Sequence, residues 1–133
     1  MEEVSIKIRK FTDLKVWKEA HVFVIEIYKI TKEFPSEEKF GLISQMRRCA
    51  VSITSNIAEG FGRNTAKDKV RFYSIAKGSL FELQSQLYIA KDLDFIKEDY
   101  VNSSEEKIEL ISKLISGLIK SSSTRGPNNL PMK

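Results

Sequence analysis

Residues 40 to 63, FGLISQMRRCAVSITSNIAEGFGR, decide the fold. Within them Ile43, Met46, Ala50, Ile53 and Ile57 recur at steps of three and four. That spacing lines one side of an α-helix with apolar groups, whereas a strand would need alternation. The pattern predicts a helix running back to about Ser36, where a hydroxyl and the acidic Glu37 and Glu38 suit free N–H groups. GFGRNT breaks it, with Gly60 or Gly62 expected in the left-handed conformation that ends many helices.

Outward from this stretch the same period continues on both sides. Downstream, Thr65 is placed to cap a helix over residues 66–94 that turns Phe72, Ala76, Leu80, Leu83, Leu87 and Ala90 inward. A connector, DFIKEDY, leads to a last helix carrying Ile108, Ile111, Ile115 and Leu118. Upstream, Thr12 or Asp13 caps a helix reaching about Glu33, stopped by Pro35. Its stripe of Val16, Ala20, Phe23, Ile27, Ile30 and Phe34 is flanked by a second one of Leu14, Trp17, His21, Val24 and Tyr28. This apolar face is wider than one bundle core needs. Four long helices joined by short loops predict an all-α fold, an antiparallel up-down-up-down four-helix bundle. The expected divisions are an extended arm over residues 1–11, the bundle over 12–121, and a disordered tail over 122–133.

Composition agrees and excludes several classes. With 133 residues the chain can close one core and not two. Only 6 Gly and 3 Pro are present, too few for a fold of many turns. No apolar run approaches the ~18 residues of a membrane span, and MEEVSIKIRKF is no secretory signal, so a cytoplasmic protein without membrane contact is expected. The single cysteine, Cys49, has no intramolecular partner for a disulfide, and the single histidine, His21, cannot supply a clustered metal site. Both are read as packing residues, and neither metal nor other cofactor is expected. The Gly60-Phe61-Gly62 pattern follows a helix and lacks the rest of a nucleotide loop. The net charge of +4 is spread evenly along the sequence, with no basic block.

Two local features remain. Ser44, Arg48, Ser52, Asn56 and Glu59 line one face of the second helix, and Arg71, Ser74, Gly78, Glu82 and Ser85 line one face of the third. A hairpin about residue 65 sets Arg48 level with Glu82 and Glu59 level with Arg71, two structural ion pairs, while Gly78 lets another backbone approach. The alternative is that Arg48 or Glu59 faces a ligand or a central channel. The second feature is a basic patch, Arg63, Lys67, Lys69 and Arg71, where a loop meets a helix start. It suits phosphate, with Arg47 and Arg48 extending it, or is a solvated helix start.

The runs DLKVWKEA (13–20), FGLISQMRRCAVSITSNIAEGFGR (40–63) and RFYSIAKGSLFELQSQL (71–87) closely resemble the four-helix-bundle family associated with intervening sequences of bacterial 23S ribosomal RNA genes. Thr54 stands where the family usually carries proline, which implies a relaxed kink in the second helix. The resemblance implies a homo-oligomer, a ring-like pentamer, with a non-enzymatic role connected with RNA. It extends to the accessory proteins of diversity-generating retroelements, which partner a reverse transcriptase and nucleic acid. Two functions are therefore expected in competition. One is an oligomeric bundle binding structured RNA or DNA through Arg47, Arg48, Arg63, Lys67, Lys69 and Arg71. The other is an adaptor ring that offers its surface to a protein partner.

Overall fold

The computed structural model describes residues 7–124. Among them are four α-helices and no strand: α1 (Lys15–Thr31), α2 (Leu42–Phe61), α3 (Ala66–Asp92) and α4 (Glu98–Ser123). Short 3-10 turns at Phe11–Asp13 and Ser36–Glu38 precede α1 and α2. The arm assigned to residues 1–11 lies largely outside the described residues, as does the tail apart from Ser122, Ser123 and Thr124; Ser122 and Ser123 are the last residues of α4.

Each helix boundary has a local cause. Asp13 accepts the backbone N–H groups of Arg9 and Lys10 at 2.9 and 3.0 Å, which ties the incoming chain to the first turn. Those two bonds also hold its carboxyl below the usual carboxylate range. The Glu38 carboxylate accepts the Leu42 N–H at 3.1 Å and so covers a free donor at the start of α2. Thr65 caps α3 as expected, its hydroxyl accepting the Asp68 N–H. Neither Gly60 nor Gly62 takes positive φ; α2 runs through Phe61 and ends on Gly62 in a right-handed conformation. The described residue with positive φ is Asp94, at 63°, where α3 gives way to the turn before α4.

The core is drawn from all four helices, with Phe23 and Ile27 of α1, Met46, Ile53 and Ile57 of α2, Leu80, Leu83 and Leu87 of α3, and Ile111 and Ile115 of α4 almost fully enclosed. One expected core residue is displaced. Phe72 is half-exposed, and its neighbour Tyr73, at 2% exposure, enters the interior instead. The reason is Gly60: a Cβ there would sit 2.6 Å from the Tyr73 ring, so the absent side chain is the space the ring fills. Along the α2–α3 seam Ser52 meets Ser79 at 2.8 Å, and the Gln86 amide reaches the Cys49 thiol at 3.4 Å. Residue numbers fall on α3 as they rise toward Gly60 on α2.

Gly78 does not play the part expected of it. It is exposed, and nothing lies within 4 Å of where its Cβ would be, so among the described residues no neighbouring backbone uses its bareness. The two glycines therefore respond oppositely to alanine. Gly60→Ala is expected to destabilise by about 1–3 kcal/mol through overpacking against Tyr73, and Gly78→Ala to stabilise by about 1 kcal/mol through helix propensity. Urea unfolding midpoints of the two variants check both signs.

Burial also protects two weak acids. It pushes the Cys49 thiol from 9.0 to about 11, with a hydrogen bond from the thiol to the Glu82 carboxylate adding to the effect, and the Tyr73 phenol from 10.0 to about 12. Below pH 9 both groups are protonated whether folded or not, so their contribution is intact. Above it the unfolded thiol ionises first while the folded one does not, and stability falls as pH rises through about 11, then further toward 12 with Tyr73. Urea midpoints that fall between pH 8 and pH 11 are expected; a flat profile would contradict this account.

Candidate nucleic-acid interface

A cavity of about 440 Å³ is lined by Ile8, Leu14, Phe61, Lys69, Tyr73, Leu118, Ser121 and Ser122. It brings the entry to α1, the end of α2, the first turns of α3 and the end of α4 together at one end of the molecule. The basic residues of those segments gather there: Arg9, Lys10, Lys15 and Lys18 from the entry to α1, Arg63, Lys67, Lys69 and Arg71 around the α2–α3 turn, and Lys120 from α4. Acidic residues in the same segments are fewer, namely Asp13, Glu19, Glu59 and Asp68. At the far end the Phe34 and Phe95 rings meet at 5.3 Å, joining the α1–α2 and α3–α4 connections. There Glu33, Glu37, Glu38, Asp92, Asp94, Glu98 and Asp99 offset the lysines. An even charge along the chain thus becomes a polarised one in space.

The basic residues around the α2–α3 turn have unequal roles. Arg63 is exposed, binds the Glu59 carboxylate at 2.7 Å and lies over the Phe72 ring at 4.5 Å. Arg71, also exposed, lies over the same ring at 4.6 Å and stands 4.0 Å from Asp68. Each guanidinium is thereby braced by an aromatic face and a nearby carboxylate. Lys67 is exposed. Lys69 is half-buried and turned inward: its ammonium donates to the carbonyls of Phe61 at 2.8 Å and Gly60 at 3.3 Å, covering acceptors that end α2, and sits over the Phe61 ring. It serves the fold first.

Arg47 and Arg48 do not extend the patch. Arg47 is near the far end, where its guanidinium donates to the Thr31 hydroxyl at 2.9 Å and the Tyr28 carbonyl at 3.1 Å and lies over the Tyr28 ring. It thus closes the last turn of α1 from a neighbouring helix. Arg48 is exposed and bonded to Gln45, about 22 Å from Arg63 along the helix at ~1.5 Å per residue.

Neither expected ion pair forms among the described residues. Glu59 is taken by Arg63, just past the end of α2, and Arg71 leans to Asp68 one turn away on α3, each a partner three or four residues off that costs less side-chain freedom to reach. Between Arg48 and Glu82 the seam is made by Ser52, Ser79, Cys49 and Gln86, and Glu82 lies by the Cys49 thiol on the outer edge.

Aromatic rings are the part the sequence reading missed. Phe72 was placed in the core, yet it is the ring under two guanidiniums. On α1 Trp17 stacks on His21 at 4.7 Å, and Phe11 meets Trp17 edge-on at 5.4 Å. Interleaving of aromatic and basic residues between positions 61 and 72 was the available signal. Beside Arg63, the small residues Ser55, Ala58 and Gly62 with Glu59 leave an open depression of about 580 Å³. Among the described residues no group of three His, Cys, Asp or Glu side chains converges as metal ligands would, and no helix is long and apolar enough to cross a membrane.

The model of the family described as 23S rRNA-intervening sequence protein matches residues 12–117. The chain belongs to that family. A crystal structure of a protein of unknown function from the S23 ribosomal protein family of Bacteroides thetaiotaomicron has the same fold, with a TM-score of 0.73 at 24% identity over 79% of this chain and 95% of that one. No curated protein matches the chain. The residues matched to the 23S rRNA-intervening sequence family span from the 3-10 turn before α1 to within α4 and include every basic residue of the α2–α3 turn.

The separation of Arg47 from the patch has a measurable side. Arg47→Ala removes two hydrogen bonds from the end of α1 and is expected to lower stability by about 1–3 kcal/mol, read from urea unfolding, while leaving any binding at the Arg63 end unchanged.

Proposed function

We propose that the chain is a non-enzymatic, homo-oligomeric bundle, antiparallel in up-down-up-down order, that binds RNA or another nucleic acid through its basic end. The observation that carries this reading is the convergence of Arg63, Lys67 and Arg71 with Arg9, Lys10, Lys15 and Lys18 around one end of the molecule. Phosphates are drawn to such a concentration of cations and release their counterions on contact. Membership of a family named for the intervening sequences of 23S rRNA supports ribosomal RNA as the first candidate and the cytoplasm as the place of action. The antiparallel order is supported by the α2–α3 contacts, which pair Ser52 with Ser79 and Gly60 with Tyr73.

Self-association is supported by apolar groups that the single chain leaves in water. On the outer side of α1, Val22 and Ile25 are exposed among Lys18, Lys29 and Lys32. Between α3 and α4, the exposed Phe81 borders a groove that holds Glu105, Glu106 and Glu109 together with Lys113. The predominantly opposite charges favour a head-to-tail contact between the two faces, which closes into rings. A pentamer is the ring size the family resemblance implies, as it implies kinship with retroelement accessory proteins. If the ring instead serves as an adaptor, the apolar faces of α3, with Tyr88, Ile89 and Leu93, would be the surface a protein partner meets.

The test is a salt titration of binding by the purified, mass-defined oligomer to a structured ribosomal RNA fragment and to a matched DNA duplex. Steep weakening with salt is expected, and replacing Arg63, Lys67 and Arg71 by Ala should reduce the logarithmic salt slope of each bound protomer by about 1 or more. Absence of binding at low salt would sink the nucleic-acid reading and leave the adaptor.

A further inference from the structure

From the arrangement of Arg63, Phe72 and Arg71 we infer that the basic end selects single-stranded nucleic acid, stacking unpaired bases on the exposed planes of the two guanidiniums. The inference rests on the nucleic-acid reading above and sharpens it to a class of ligand.

Charge alone makes this cluster a weak phosphate site. Arg63 and Arg71 each have a carboxylate close by, Glu59 at 2.7 Å and Asp68 at 4.0 Å, which leaves Lys67 as the uncompensated cation of the group. A duplex, which offers mainly phosphates, is held by the wider basic end and gains little from these two arginines. The same carboxylates do something else well. Together with the Phe72 ring, 4.5 and 4.6 Å from the two guanidinium carbons, they hold both guanidiniums in place. The arginine side chains are still 41% and 62% exposed. Flat, cationic and set against the Phe72 ring, such groups match the face of a nucleobase, which only an unpaired strand can present. Ser55, Ala58 and Gly62 carry little bulk beside Arg63, and the open volume of about 580 Å³ they leave gives a splayed base room to lie down. Glu59, on the rim of that space, has a carboxylate that accepts from the amino edge of a base.

The experiment compares the full-length oligomer's affinity for an unstructured RNA strand of about 12 nucleotides with its affinity for the same strand annealed to its complement, at fixed salt. It is repeated with Arg63→Lys combined with Arg71→Lys, which keeps both charges and removes both planes. The native protein is expected to prefer the single strand by about tenfold. The lysine variant should lose that preference through weaker single-strand binding, while its helical circular dichroism and urea midpoint stay as in the native protein, which shows that it is folded. Equal or tighter binding of the duplex by the native protein overturns the inference, as does a preference that survives in the lysine variant. In both cases binding itself persists, which separates these failures from that of the parent reading, in which neither RNA binds at low salt.

Discussion

The close approach of α2 and α3 is the constraint on which the rest of the molecule depends. Gly60 offers no side chain, and the Tyr73 ring occupies the space a Cβ would need. Ser52 and Ser79 meet hydroxyl to hydroxyl, and Ala50 and Ala76 are fully enclosed. With Tyr73 turned inward, Phe72 is turned outward, because successive residues on a helix lie about 100° apart. The aromatic seat under Arg63 and Arg71 is therefore a by-product of how the hairpin closes. A change made to the interior at Gly60 would be felt at the surface where ligand is expected.

Much of the fold was legible in the sequence because four amphipathic periods and few turn residues leave few alternatives. The Thr65 cap and the inward faces of α2 and α4 follow from local pattern alone. Phe72 and Tyr73 show where pattern stops: both are aromatic and adjacent, and the choice between them rests on a glycine on another helix. Gly78 shows the converse, a helical glycine whose bareness serves no contact among the described residues. The ion pairs inferred from a level hairpin failed for a similar reason. Spacing places two charges abreast, but partners nearer in sequence, Arg63 for Glu59 and Asp68 for Arg71, take them first.

The candidate site was half legible. Arg63, Lys67 and Arg71 share one turn of sequence and one region of space, whereas Arg47 and Arg48 share only the sequence. A basic residue near the middle or start of α2 is carried far from its end by the rise of the helix, and Arg47 has its own work closing α1. Summing charge over consecutive segments hid the larger pattern. The fold superimposes segments that lie far apart in sequence, and the entry to α1 and the end of α4 add their cations to those of the α2–α3 turn.

Cys49 gives the α2–α3 seam a chemical reporter. The thiol is enclosed, receives the Gln86 amide and is kept protonated by burial. Because it is the one sulfhydryl in 133 residues, its rate of modification in the native state counts openings of a single seam. Anything that stiffens or loosens the hairpin would leave its mark on that rate. The seam thus carries an internal clock for its own breathing.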